Sequence, residues 1–421
     1  MQLSINVSRE TFTQNERDDK MKFEDVLSAT KSAVAQTMGA EYMESSGLLT
    51  ATESFKIADV GRDIEDAGSS ETYTNALISV LAKTVIVQKL YKRNIKSLYV
   101  DNFEWGGFVQ RVYFDLANVI TDNMYNLVNG KDYSEIEHTF YEPKVSAKLF
   151  AEGKDICIPI SIVKDQLFES FKSWDALNSY ISAIRMSITN TLNAVLYGYE
   201  KMLVSCGIAE SVSTNALNNA VHLISDAVKD GIISQVDSAN PTYEQIRAND
   251  TEYRKFLTYC CEKIATVRSN MRDMSKAYNN GNVPTFCDAE MLLISQFAKH
   301  IRFNARANTF NSNELAFGDY EEITSWQAIK KTSGDAFDFD VVTSVDISAD
   351  ANNKLGIGTA EFKTSGVIGL AFDRMAMGIC LEKIKMTSNY TACADFWNEF
   401  THVLVNYLLD TNCNIVAFVL D

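Results

Sequence analysis

DALNSYISAIRMSITNTLNAVLYGYEKML, residues 175–203, is the stretch from which the architecture can be read. Leu177, Ile181, Ile184, Ile188, Leu192, Val195, Tyr199 and Leu203 recur every three or four residues, so an α-helix gathers them on one stripe. Asn178, Ser182, Arg185, Thr189, Asn193 and Glu200 fall off that stripe. The first six stripe residues are the expected core of a helix running from Asp165 to Ser205. Residues 175–203 alone would span roughly 40 Å at 1.5 Å per residue, longer than the usual helix of a compact domain. The chain is therefore expected to be organised along one long shaft.

Working outward, residues 1–22 are polar and read as extended. Lys22 to Met38 reads as a helix, with Phe23, Val26, Leu27, Val34 and Met38 at helical spacing and Gly39 as its stop. Residues 39–70 are rich in Gly, Ser, Thr and Glu with little periodicity. A structureless stretch of that length suits an arm lying on a neighbouring copy better than the inside of one domain. Residues 70–94 read as helix or strand-rich. Residues 97–115 alternate like a strand, with Trp105, Gly106 and Gly107 as a bend, and the less patterned run 118–132 ends at the turn signal Asn129-Gly130. Alternation resumes over 139–162, where Val145, Ala147, Leu149, Ile156, Ile158 and Ile160 fit two strands separated by residues 152–154. Two strand segments flanking a polar excursion suggest a long hairpin that projects from the body. Its bend and turn, Trp105, Gly106, Gly107, Asn129 and Gly130, are the candidate interface residues.

Downstream, residues 207–241 read as a loop and Ala-rich segment. Thr251 to Tyr278 is a further helix, with Tyr253, Phe256, Leu257, Cys260, Ile264, Val267 and Met271 on one face. Residues 284–317 read as a short strand and then a helix, the helix running from Ala289 to Asn304. Residues 337–345, 362–372, 376–384, 395–409 and 415–420 read as strands. The expected class is α+β.

Composition narrows the function. Hydrophobic residues make up 46% of 421, enough for sizeable cores, and no run approaches the roughly 20 apolar residues of a membrane helix. Residues 1–19 contain no apolar stretch and do not read as a secretory signal, so a cytoplasmic setting is expected. A formal net charge of -16, with no basic run longer than Lys92-Arg93 or Lys330-Lys331, argues against a sequence-specific nucleic-acid reader. The eight cysteines lack C-x-x-C spacing and are expected as buried free thiols. His138, His222, His300 and His402 stand apart without motif neighbours. The Gly356-Ile357-Gly358 run lacks a third glycine. The calcium-loop-like run from Asp346 fails at its sixth and twelfth positions, Ala351 and Ile357. No catalytic constellation, cofactor or metal is expected.

Three stretches carry a resemblance. They are KVSAKLFAE (144–152) through QLFESFKSW (166–174) into the long helix; AEMLL (289–293), FAK (297–299) and FN (310–311); and FDR (372–374), FWNEF (396–400) and VAFV (416–419). Together with the order of arm, hairpin, long helix, mixed domain and final strand, they resemble the major capsid proteins of tailed bacteriophages with the Hong Kong 97 fold, closest to the phi-29 or Salas-like podophages. The resemblance implies an N-terminal arm (1–95), an E-loop with adjoining strands (96–163), a peripheral domain with its spine helix (164–205), an axial domain (206–375) and a C-terminal segment completing the peripheral domain (376–421). It also implies hexamers and pentamers closing an icosahedral, or prolate, shell around double-stranded DNA without sequence-specific contacts. Its implied partners are a scaffolding protein, a portal and head-fibre or decoration proteins, with assembly in the host bacterial cytoplasm. Against this stand a bacterial nanocompartment shell of the same fold, and an enzyme whose site leaves no motif.

Overall fold

A computed structural model describes residues 23–48, 57–67, 72–73, 95–99, 109–114, 140, 145–150, 153–213, 219–233, 241–271, 289–306, 319–327, 338–347, 361–374 and 376–421. In chain order the elements begin with helices α1 (Phe23–Met38), α2 (Ala40–Ser45) and α3 (Ile57–Asp66). Strands β1 (Val109–Phe114), β2 (Val145–Phe150) and β3 (Gly153–Val163) precede α4 (Lys164–Ser170) and α5 (Trp174–Val212). Then come β4 (Ala220–His222), α6 (Leu223–Lys229), α7 (Tyr243–Ala248), α8 (Asp250–Asn270), β5 (Ala289–Ile294), α9 (Ser295–Arg306) and β6 (Glu321–Ile323). The last group is α10 (Phe339–Thr343), β7 (Val345–Ile347), β8 (Phe362–Thr364), β9 (Val367–Asp373), β10 (Met377–Thr391), β11 (Phe396–Leu409) and β12 (Ile415–Val419). The class is α+β, as expected.

The chain forms two compact units. The first comprises residues 1–94, 155–196 and 381–405. Its core joins Val34, Met43, Leu48, Val60, Ile64 and Tyr73 to Leu167, Phe171, Trp174, Leu177 and Ile181. This corrects the reading of 39–70 as a structureless arm on a neighbour: α2 and α3 bury Met43, Val60 and Ile64 inside their own chain. The helical spacing of Val60 and Ile64 is short and lies amid Gly and Ser, so it carries little periodic signal. α3 approaches closely enough that a Cβ on Gly61 would stand 2.7 Å from the Phe171 ring. α1 ends where expected, at Gly39, whose φ of 86° is left-handed.

The long helix runs 39 residues, from Trp174 to Val212, or about 58 Å. The expected continuous helix from Asp165 is broken at 171–173, because the Ser173 hydroxyl accepts the Ala176 N–H (3.2 Å) and caps a fresh start. Leu177, Ile181, Ile188 and Leu192 are buried, while Ile184 and Val195 are only half-buried. Arg185 and Glu200, read as off the stripe, are buried as well. β3 alternates, with Ile156, Ile158 and Ile162 inward, and it joins β10 and β11 in a sheet of order β10-β11-β3. The alternation leaves Cys157 exposed, and Cys393 is exposed near the β10–β11 turn. The expectation of uniformly buried thiols therefore holds for Cys206, Cys260, Cys380 and Cys413 but fails for these two.

The second unit comprises residues 95–154, 197–380 and 406–421. Its centre is a five-stranded sheet of order β4-β12-β9-β5-β6. β12 runs parallel to β4 and antiparallel to β9, while β5 is antiparallel to β9 and parallel to β6. β9 and β12 are buried at every position, which explains their apolar sequences, closed in β9 by the buried Asp373. α5 continues past the expected end at Ser205 because Cys206, Ile208 and Ala209 are fully buried. That burial outweighs the roughly 1 kcal/mol helix penalty of Gly207, and a Cβ there would collide with Met377. The segment read as a loop over 207–241 thus holds the end of α5, β4 and α6, whose Leu223, Ile224 and Ala227 are buried. α8 buries the predicted face, Tyr253, Phe256, Leu257, Cys260, Ile264 and Val267, under an Asn249 cap, and ends at Asn270. Two element types are corrected. Residues 289–294 are strand, with helix only from Ser295. Residues 339–343 are helix, capped by the Asp338 carboxylate on the Asp340 N–H. The glycine pair at 356–358 and most of the calcium-like run lie outside the described residues.

Candidate assembly surface

β1 and β2 pair antiparallel, with Val109 opposite Phe150 and Phe114 opposite Val145. The chain between them, 115–144, is therefore an excursion whose two ends are held together. Opposite residues share a face of the ladder, and the two faces differ. On one, Val112, Val145 and Leu149 are exposed at 43%, 53% and 61%, with Ala147 among them. On the other face stand Arg111, Tyr113, Lys148 and Phe150, all half-buried. The Lys148 ammonium lies 5.4 Å from the Phe150 ring centroid.

The polar face is fastened to the turn after β11. Asp410 is fully buried. Its Oδ2 accepts from the Arg111 guanidinium in an ion pair and from the Tyr113 hydroxyl (2.5 Å). Its Oδ1 accepts the Asn412 N–H (3.0 Å), and its own N–H donates to the Ala376 carbonyl (2.7 Å). Arg111 also reaches Cys413 Sγ at 3.0 Å, and the Lys148 ammonium donates to Thr411 (3.1 Å). Burial, together with the Asp410 carboxylate, pushes the Tyr113 phenol well above its ordinary range. A buried carboxylate that collects donors from Arg111, Tyr113, Asn412 and Cys413 fixes the hairpin root firmly, because removing one partner of such a group leaves a buried charge unbalanced.

The five residues read from sequence as interface, Trp105, Gly106, Gly107, Asn129 and Gly130, lie outside the described residues. The structure instead brings together Arg111, Tyr113, Lys148, Asp410 and Cys413, which sequence reading passed over. Arg111 and Tyr113 alternate within β1 and could have been marked as one face, but Asp410 lies 299 and 297 residues away from them in the chain. A further exposed aromatic, Phe140, is 84% accessible within the excursion.

The first unit holds a buried carboxylate of another kind. Glu399 on β11 is 3% exposed, and its Oε1 has no hydrogen-bond partner among the described residues. Burial pushes its carboxyl up to about 7. With the folded value above the unfolded one, stability is complete below about pH 4 and falls as pH rises toward 7, by up to about 1.4 kcal/mol per pH unit. Glu399→Gln should therefore leave stability near wild type at pH 4 and raise it by about 1–3 kcal/mol at pH 8. Chemical denaturation of both chains at the two pH values checks this; equal stability at pH 8 would count against it.

Among the described residues no helix is long and apolar enough to cross a membrane, and no group of three or more His, Cys, Asp or Glu is placed to hold a metal ion. No curated protein matches the chain. Solved structures similar to it include the capsid of Staphylococcus phage Andhra, with TM-score 0.46 and 12% identity over 78% of this chain and 84% of that one. A structure of the head fiber and inner core protein gp22 of native bacteriophage P68 gives TM-score 0.47 and 10% identity over 76% and 83%. The capsid of Cyanophage P-SCSP1u gives 0.41 and 13% over 80% and 94%. The family model of the Phi29-like phage major capsid protein matches residues 32–419. Nearly the whole chain is thereby accounted for, and it belongs to the Phi29-like phage major capsid protein family, as a structural component of the phage shell.

Proposed function

We propose that the β1–β2 hairpin is the extended loop by which each subunit overlies its neighbour, and that subunits joined this way build hexamers and pentamers of an icosahedral or prolate shell around double-stranded DNA. The observation that carries this is the two-sidedness of the hairpin: one face fastened to its own chain through Asp410, the other exposing Val112, Val145 and Leu149. An exposed cluster of Val112, Val145 and Leu149 suits the centre of an obligate interface, which typically buries roughly 2,000 Å² or more. In this reading residues 1–95 are the N-terminal arm, 96–163 the extended loop and its strands, 164–205 the spine region, 206–375 the axial domain and 376–421 the completing segment. A scaffolding protein, a portal and head-fibre or decoration proteins are its expected partners, assembly takes place in the host cytoplasm, and no catalysis is involved. The -16 charge suits a wall that encloses nucleic acid without gripping it. A nanocompartment shell draws no support from the family match.

Val112→Asp with Leu149→Asp tests the apolar face. Both side chains are already exposed, so subunit stability should change by about 0.5 kcal/mol or less per site. Shell formation should be lost, because the two carboxylates would be buried at the contact. Sedimentation and negative-stain imaging beside wild type, with scaffold present, give the answer. Normal shells from the double variant would remove this face from the interface.

A further inference from the structure

Two carboxylates, Asp410 and Asp373, are fully buried beside the hairpin root, whose cations are Arg111 and the half-buried Lys148, the latter held by Thr411 at 3.1 Å. Asp373, the last residue of β9, is fully buried close to Arg111. Its N–H donates to the Asn414 carbonyl (3.0 Å), and its Oδ2 accepts the Asn414 N–H (3.1 Å). Its Oδ1 and the Asn414 Oδ1 are both buried with no hydrogen-bond partner among the described residues. Arg111 is already engaged with Asp410. Among the described residues, the other polar groups about Asp373 do not place a second cation on its carboxylate. Across the ladder it faces Ala289, whose carbonyl takes the Arg268 guanidinium at 2.9 Å, and Glu290 follows on the same strand. Arg374 is exposed, and Tyr113 and Cys413 are committed to Asp410.

We propose that Arg111, Asp410 and Asp373 form a proton-controlled latch, which holds the hairpin root to the 410–414 turn while Asp373 is protonated and loosens when it ionises. With Asp373 neutral, one guanidinium faces one carboxylate and the pocket is balanced. With Asp373 ionised, two buried carboxylates compete for Arg111, and the surplus charge is relieved by admitting water at the β1 anchor. Burial pushes the Asp373 carboxyl up to about 7, against the opposing pull of the Asn414 N–H and of Arg111. The closed latch therefore holds a proton that the open one releases between about pH 4 and 7. Latching is complete at the acid end of that window and is lost as pH rises through about 7. This inference concerns the single chain and does not depend on how subunits contact one another.

The test is amide hydrogen exchange on the full unassembled chain, corrected for intrinsic rates, following residues 109–114 and 145–150 against the β5 and β9 amides. In wild type, hairpin opening should rise by up to about tenfold per pH unit as pH 7 is approached, then level off, while β5 and β9 stay protected. Asp373→Asn should hold the hairpin at its acid level of protection up to pH 8. No pH response in wild type, a response that survives in Asp373→Asn, or β5 and β9 opening together with the hairpin would each overturn the latch. Should Asp373→Asn fail to fold, Arg111→Gln serves instead. Its hairpin amides should exchange fast at both ends of the range, and wild-type protection in that variant would also overturn the proposal.

Discussion

A chain in which residues 115–144 are replaced by a short Gly/Ser turn should fold and fail to assemble. β1 and β2 remain, with their register and their attachment to Asp410, so the second unit loses none of the strands of its central sheet. Closing a shorter loop costs little entropy. Circular dichroism and the denaturation midpoint should stay close to wild type. If the excursion lies over the adjacent subunit, its loss removes most of the contact area of one interface, and sedimentation with scaffold present should show subunits or small rings only. Shells of normal size would sink the assignment of 96–163 as the extended loop. A globally unfolded variant would place the excursion in the chain's own core.

Ile188→Asp should act on folding itself. Ile188 is 6% exposed in the middle of α5. An unpaired carboxylate there should cost about 3–5 kcal/mol, a large part of the roughly 5–15 kcal/mol that holds a typical domain. Insoluble or unfolded protein is the expected result. Met186, two residues earlier and 54% exposed, supplies the comparison: Met186→Asp should fold with a change of about 0.5 kcal/mol or less. Equal behaviour of the two variants in a solubility and thermal-unfolding assay would mean the α5 stripe is turned differently.

The α+β fold was legible where burial is one-sided and long. The stripe of α5, the face of α8 and the two arms of the hairpin each repeat a periodicity over many residues, so their side chains report their own surroundings. Short elements were not legible. α3 has room for only one or two buried positions on its face, and residues 337–345 alternate like a strand although Asp338 starts a helix whose Phe339 stacks on Tyr243, 4.8 Å between ring centroids. Gly207 looked like a terminator because sequence shows its helix penalty but not the Met377 side chain that lies against it. The anchor of the candidate surface was hidden for a related reason. Asp410 has the composition of an ordinary turn residue, and only the fold carries Arg111, Tyr113 and Asn412 to it.

β12 lies between β4 and β9 in its sheet, and it pairs in parallel with a strand made about 200 residues earlier. A ribosome that has released β4, β5 and β9 has therefore released an unfinished sheet, with an open slot where β12 belongs. Pairings so distant in sequence form slowly. Until the slot is filled, the growing chain exposes strand edges that invite aggregation. Asp410, to which Arg111 and Tyr113 fasten the hairpin root, is translated shortly before that strand. A nascent subunit thus cannot present a fastened hairpin until Asp410 has been made, 299 residues after Arg111, so the fold itself delays the fastening.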